Sequence, residues 1–143
     1  MIFVDTSFLL SLAGNDSNSP AAGACVETMG VPIVITALNR LEFENAIALL
    51  LFRGAMPEVE ASSATTALAA DEEVGRITEA VCNWQEVMAE ALRISRVRAG
   101  DEGHRLLDIL HVAAALKMNA KEFLSFDKRQ RELAVAEGLA VGP

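Results

Sequence analysis

Four acidic residues stand where they could do chemistry together. Asp5 closes the apolar run Ile2-Phe3-Val4, and Asp127 follows the stretch Glu122 to Phe126. Glu42 lies between Leu41 and Phe43, and Asp108 between Leu106-Leu107 and Ile109-Leu110. Acids in apolar surroundings need partners, because an unpaired carboxylate is costly to remove from water. Four of them in one pocket would repel one another unless protons or cations compensate, and a divalent ion is the natural solution. Ligation by oxygen alone, without cysteines or a histidine pair, selects a hard ion, Mg²⁺ or Mn²⁺, rather than zinc.

Plainer readings stand beside this one. Asp5 and Asp127 can simply cap the helices that follow them, Asp127 forming a capping box with Gln130. Arg40 or Arg105 could be the partners of Glu42 and Asp108. Glu44 is the rival of Glu42, two residues round the helix and so on another face. His111, three residues after Asp108, reads as a satisfied core residue rather than a ligand, and His104 as a loop or cap residue.

The elements that must position these acids follow from hydrophobic spacing. Ile2–Val4 reads as a buried strand, followed by a short helix over Phe8–Leu12 begun by Thr6-Ser7. A turn over Asn15–Pro20 leads into a helix over Ala21–Met29 and a second strand over Val31–Ile35. Leu38, Leu41, Ala46, Leu49 and Phe52 then recur near helical spacing, which predicts a long buried helix closed by Arg53-Gly54. A helix from Pro57 to Ala70 and an edge strand within Arg76–Val81 come next. Trp84, Val87, Met88, Ala91, Leu92 and Ser95 trace one core-facing stripe, terminated by the Gly100–Gly103 loop. Leu106–Met118 is apolar on nearly every side. A strand over Glu122–Phe126, a polar helix over Lys128–Glu137 and a last strand over Leu139–Val141 finish the chain.

Alternating strands and helices with continuously apolar strands predict an α/β fold, a three-layer α/β/α sandwich with a central parallel sheet. In such a sheet, ligands bind outside the carboxyl ends of the strands at a topological switch. Asp5 and Asp127 end strands, and Glu42 and Asp108 lie in the opening turns of helices that start at the same edge. The four carboxylates should therefore converge. Helix N-termini there would ease the crowding and receive a phosphate.

Length and composition bound the reading. The 143 residues suit one domain, 1–143. The longest unbroken apolar stretch, Ala46–Phe52, is far short of the roughly 20 residues that span a bilayer. No export signal is expected, and Cys25 and Cys82 lack metal-like spacing, so a reducing cytoplasm fits best. A formal charge of −8 is the wrong sign for diffuse binding to nucleic acid, so any such contact must be local. Positive charge near Asp108 and Asp127 comes from Arg96, Arg98, Arg105, Lys128 and Arg129. The absence of tyrosine argues against base-stacking platforms.

Three segments together resemble the PIN-domain nucleases, especially the VapC-type toxins of bacterial toxin–antitoxin pairs. They are Ile2-Phe3-Val4-Asp5-Thr6-Ser7, Leu41-Glu42-Phe43-Glu44-Asn45-Ala46, and Leu107 to Ala115 running on to Phe123-Leu124-Ser125-Phe126-Asp127. The resemblance covers the whole chain in order and spacing. It implies a PIN-like fold and Mg²⁺- or Mn²⁺-dependent hydrolysis of RNA phosphodiester bonds, with Asp5, Glu42, Asp108 and Asp127 as catalytic and metal-holding acids. Ser7 and Ser125 match hydroxyl positions that support the acids or contact metal-bound water. A small antitoxin with basic residues, an RNA substrate and a homodimer are implied as partners.

Rival classes fit less well. An adhesion-type Asp-x-Ser-x-Ser site has Leu9 where its third ligand belongs, a receiver domain lacks its lysine, and a haloacid dehalogenase phosphatase has Ser7 in place of its second aspartate. The stronger competitor is a catalytically inactive PIN-like domain that binds protein or RNA.

Overall fold

Five short strands make one sheet, parallel throughout, in the order β3-β2-β1-β4-β5. They are β1 (Ile2–Val4), β2 (Ile33–Ile35), β3 (Ile77–Glu79), β4 (Glu122–Leu124) and β5 (Ala140–Gly142) in the computed structural model, which describes residues 1–143. The helices are α1 (Thr6–Ala13), α2 (Ser19–Met29), α3 (Ala37–Phe52), α4 (Glu58–Glu73), α5 (Trp84–Ile94), α6 (Gly100–Glu102), α7 (Leu106–Lys117) and α8 (Lys128–Ala136). A π-helical turn, Ser95–Ala99, joins α5 to α6.

Period-two alternation along the strands sorts the core into two layers. Phe3 and Phe123, register partners on β1 and β4 with ring centroids 6.0 Å apart, are covered by Val87, Ala91 and Ile94 of α5, by α7, and by Leu133 and Ala134 of α8. Val4 and Leu124 belong to the opposite cluster, with Phe8 and Leu9 of α1, Phe43 and Ile47 of α3, and Ala61, Ala64 and Leu68 of α4. This is the three-layer α/β/α arrangement. The chain steps from β1 outward to β2 and β3, then crosses back to lay β4 on the other side of β1. The switch point therefore lies between β1 and β4.

Several boundaries differ from the sequence reading. β2 starts at Ile33 because Val31 is 52% exposed, and β4 ends at Leu124, so Ser125 and Phe126 have already left the ladder. The buried positions of α3 are Asn39, Phe43 and Ile47, a stripe at spacing four, while Leu41 and Phe52 are exposed. The predicted Trp84-to-Ser95 stripe narrows in the same way: Val87, Ala91 and Ile94 are buried, and Met88 and Leu92 face outwards. The helical path also runs on through the π-helical turn to Glu102 instead of stopping at Gly100. It ends at Gly103, whose φ of +67° lies in the left-handed region that glycine occupies without a Cβ clash.

This helical run is laced to α8. Glu137, just past the end of α8, accepts from Arg93 and Arg98, and Arg98 also donates to the Ala136 carbonyl at 2.8 Å and to Glu102 at 3.0 Å. Burial pushes the Glu137 carboxyl up, but the two arginines outweigh it and hold it below the usual carboxylate range. A lowered folded-state pKa gives stability that is complete above the unfolded pKa and lost as pH falls through the folded one. Glu137→Gln is accordingly expected to lower Tm on the order of 3 °C at pH 7, the arginines being partly screened by solvent. The difference from wild type should shrink in melts below about pH 4; a difference independent of pH would show that charge is not its source. No helix is long and apolar enough to cross a membrane.

Candidate functional site

The ends of β1 and β4 are stitched together by one carboxylate. Asp5 is 1% exposed and is the N-cap of α1, accepting the Phe8 N–H at 2.8 Å. Ser7 donates to both its oxygens, at 2.8 and 2.9 Å, and Ser125 donates to Oδ2 at 2.6 Å. The two serines also hold the segment after β4: Phe126 N–H donates to Ser7 Oγ and Asp127 N–H to Ser125 Oγ, each at 3.0 Å. Phe8 and Phe126 stack beside them with centroids 5.5 Å apart. Burial raises the Asp5 carboxyl above its ordinary range, and the bonds from Ser125, Phe8 and Ser7 offset only part of that.

A second set converges on Glu42. Its Oε2 accepts from Thr6 Oγ1 at 2.6 Å and lies 2.6 Å from His111 Nε2, on a ring that is 2% exposed. Behind the ring stands Asn39, fully buried, with an orientation fixed by its neighbours. Its Oδ1 accepts from Thr36 N–H and Oγ1, both at 2.8 Å, and its Nδ2 donates to the Val4 carbonyl at 2.8 Å. The same Nδ2 faces His111 Nδ1 at 3.3 Å, so that ring nitrogen accepts and Nε2 carries the proton given to Glu42. Burial pushes Glu42 up, yet the bonds from His111 and Thr6 prevail and keep its carboxyl below the usual range.

Asp108 and Asp127 complete the edge. Asp127 is the N-cap of α8, accepting from Arg129 N–H at 2.8 Å and Gln130 N–H at 3.2 Å. Asp108, in the first turn of α7, is held above its ordinary range by burial and by the negative charge of Asp127. His111 is within electrostatic reach of Asp5, Glu42 and Asp108. All four predicted acids thus sit at the carboxyl edge beside the switch point, but not as one cage: no three His, Cys, Asp or Glu side chains form a group arranged to hold an ion. Three of the acids have instead turned to hydrogen-bond donors of their own. Asp5 and Asp127 do cap helices, but Asp127 forms no capping box with Gln130, because its own N–H donates to Ser125 Oγ instead.

The other sequence candidates divide. Ser7 and Ser125 both meet Asp5. Glu44 is exposed, and Arg40 pairs with Glu72 and Glu79 rather than Glu42. Among the basic residues, Arg98 is engaged with Glu137, and Arg129 donates to the Gly103 carbonyl, so neither points freely to solvent. Lys128 has an 82% exposed side chain, and no ion pair engages Arg96 or Arg105, although the backbone N–H and the charge of Arg105 do act on Asp108, as the sequence suggested, and offset part of the effect of burial. The sequence reading missed Thr6 and Asn39 and set His111 aside. One signal was available: His111 lies three residues after Asp108 and so on the same face of α7, while Asn39 and Glu42 repeat that spacing on α3.

Comparison with solved structures gives the same fold. VapC20 of Mycobacterium tuberculosis, a sarcin–ricin-loop-cleaving toxin, superposes with a TM-score of 0.67 at 19% identity, over 98% of this chain and 97% of that one. FitAcB of Neisseria gonorrhoeae gives 0.65 at 19% identity, over 100% and 97%. VapBC2 of Rickettsia felis, solved bound to a DNA fragment from its promoter, gives 0.64 at 13%, over 99% and 98%. A comparison with curated protein sequences yields no significant match. The sequence pattern of the PIN domain matches residues 2–136, nearly the whole chain, and the protein belongs to the PIN domain family.

Proposed function

We propose that this PIN domain is a divalent-metal-dependent endoribonuclease, acting in the cytoplasm as the toxin of a toxin–antitoxin pair. The observation that carries the reading is Asp5: a carboxylate buried at the switch point, oriented by two hydroxyls, with three further acids on the same sheet edge. Family membership and fold neighbours that include a sarcin–ricin-loop-cleaving toxin support it. So do the FitAcB and VapBC2 likenesses for an antitoxin partner, whose basic residues would suit a chain of net charge −8. A homodimer is part of the proposal.

The donor set fits Mg²⁺ or Mn²⁺. Asp5, Glu42, Asp108 and Asp127 offer only oxygen, no thiolate stands among them, and the one imidazole is engaged by Asn39 and Glu42. When bound, such an ion lowers the pKa of a water and offsets charge developing on the phosphoryl oxygens. The chain's own residues do the rest. Ser7 and Ser125 keep the Asp5 carboxylate from turning, Thr6 and His111 keep Glu42 ionised and aimed, and the first turn of α8 fixes Asp127. The unpaired Arg96 and Arg105 and the exposed Lys128 are the proposed contacts to the RNA backbone.

The test is cleavage of labelled RNAs by purified protein with Mg²⁺, Mn²⁺ or a chelator, beside Asp108→Asn. Cleavage that survives chelation and the substitution rejects the site. Mn²⁺ binding without cleavage identifies the inactive PIN-like module, a reading favoured by the separate hydrogen-bond partners of the acids. Ser125→Ala removes one donor to Asp5 and is expected to raise the Mn²⁺ Kd about 10-fold or more in a calorimetric titration. An unchanged Kd would leave Ser125 as ordinary strand-end capping.

A further inference from the structure

Asp108 and Asp127 begin different helices with like charges facing each other, while the apolar core shared by α7 and α8 lies deeper along both helices. One side chain spans the gap. Arg129 gives its backbone N–H to Asp127 Oδ1 at 2.8 Å, while its Nη2 donates to the Gly103 carbonyl and lies 3.4 Å from that of Glu102. Gly103 is five residues before Asp108 and turns the chain into α7 with its left-handed backbone. A Cβ added there would lie 3.4 Å from Arg129 Nη2, so turn and guanidinium are already in close contact. From one carboxylate to the other, the connection runs through an amide, a guanidinium, a carbonyl and a short length of backbone. Lys128, next along the chain, is placed differently: its ammonium reaches only Glu132, at 3.7 Å, from an exposed position.

We infer that Arg129 is a positioning residue that sets the spacing of Asp108 and Asp127, and through it the divalent-cation affinity of the edge, rather than a contact to RNA. The inference rests on the metal-dependent reading above. A planar guanidinium suits the task because two of its N–H groups can meet neighbouring carbonyls in a fixed geometry. Lysine carries its three donors on one freely rotating ammonium without that fixed plane, and should replace arginine only in part.

The test compares wild type with Arg129→Met, which keeps an unbranched apolar stem and removes the donors, and with Arg129→Lys. Amide hydrogen exchange on the metal-free proteins reads the coupling directly. Exchange at Gly103 and Ile109, whose N–H groups donate to the Ala99 and Arg105 carbonyls at either end of the turn, should quicken in Arg129→Met while Val112 to Ala115, buried in the middle of α7, stays protected. The Mn²⁺ Kd, read by electron paramagnetic resonance, should rise about 10- to 100-fold, with partial recovery in Arg129→Lys. Affinity for a labelled oligoribonucleotide in chelator should change less than about 2-fold. Unchanged exchange and Mn²⁺ affinity with weakened RNA binding would overturn the inference and return Arg129 to the RNA surface. Loss of protection throughout α7 would also overturn it, marking Arg129 as a general fold contact. Wild type that takes up no Mn²⁺ overturns the metal reading instead, and the exchange data then decide alone whether Arg129 couples the two helix starts.

Discussion

Asp5→Asn is expected to cut RNA cleavage by at least about 10²-fold while leaving the Tm of the metal-free protein unchanged or raised. The opposite signs come from one fact: burial holds the Asp5 carboxyl above its ordinary range although Ser125, Phe8 and Ser7 all donate to it. The folded state therefore binds that proton more tightly than the unfolded chain does. Stability contributed by the protonated form is complete below the unfolded value, about pH 3.9, and is lost as pH rises through the raised folded value. At neutral pH the ionised group works against folding. Asparagine keeps the oxygen that caps α1 and removes the charge, and either serine hydroxyl can turn to accept from its amide. Thermal melts from pH 5 to 8 beside the cleavage assay check this. Saturating Mn²⁺ should raise the wild-type Tm and barely move that of the variant, because only a site that still binds the ion gains from mass action. A large fall in Tm without metal would make Asp5 a structural cap first.

Phe123→Ala is expected to destabilise the protein by about 3–5 kcal/mol. Phe123 is fully buried at the middle of β4, stacks on Phe3 of β1, and lies under α5, α7 and α8. Few side chains could collapse into the space it would leave, since the alanines at 113–115 of α7 are too short to reach far. Urea unfolding should show the loss as a lower midpoint with an unchanged slope, and Tm should drop by about 10 °C or more. A loss below about 1 kcal/mol would mean that the helices above the sheet close over the cavity, and that the β1–β4 seam is held mainly by its polar stitches.

The layout was readable because β1 is an apolar run closed by Asp5 and the largely apolar segment that contains β4 runs on to Asp127, which marks both strand and edge. Helix faces were harder. In α3 apolar residues occur all the way round, so spacing cannot choose between the Leu38–Leu41 stripe and the Asn39–Phe43–Ile47 stripe that the sheet covers. Asn39 was invisible as a core residue because what satisfies it, the Val4 carbonyl and His111, lies 35 and 72 residues away in the chain. The partners of Glu42 escaped for the same reason: Thr6 and His111 reach it only in the folded state. Arg98 and Arg129 read as solvated positive charge, since nothing local reveals a carboxylate or carbonyl waiting on another element. The convergence of acids at one edge followed from topology, but their individual hydrogen bonds did not.

Ser125 completes the bonds on Asp5 from 120 residues further along the chain. During synthesis, at roughly 5–20 residues per second, the N-terminal strand must therefore wait on the order of ten seconds for the segment that orders its carboxylate. A chain cut short between Glu42 and Glu122 bears Asp5 and Glu42 but lacks β4, and lacks Asp108 as well if it ends before residue 108. Until the segment around Ser125 has been made, no partly translated chain can hold Asp5 in the ordered state described above.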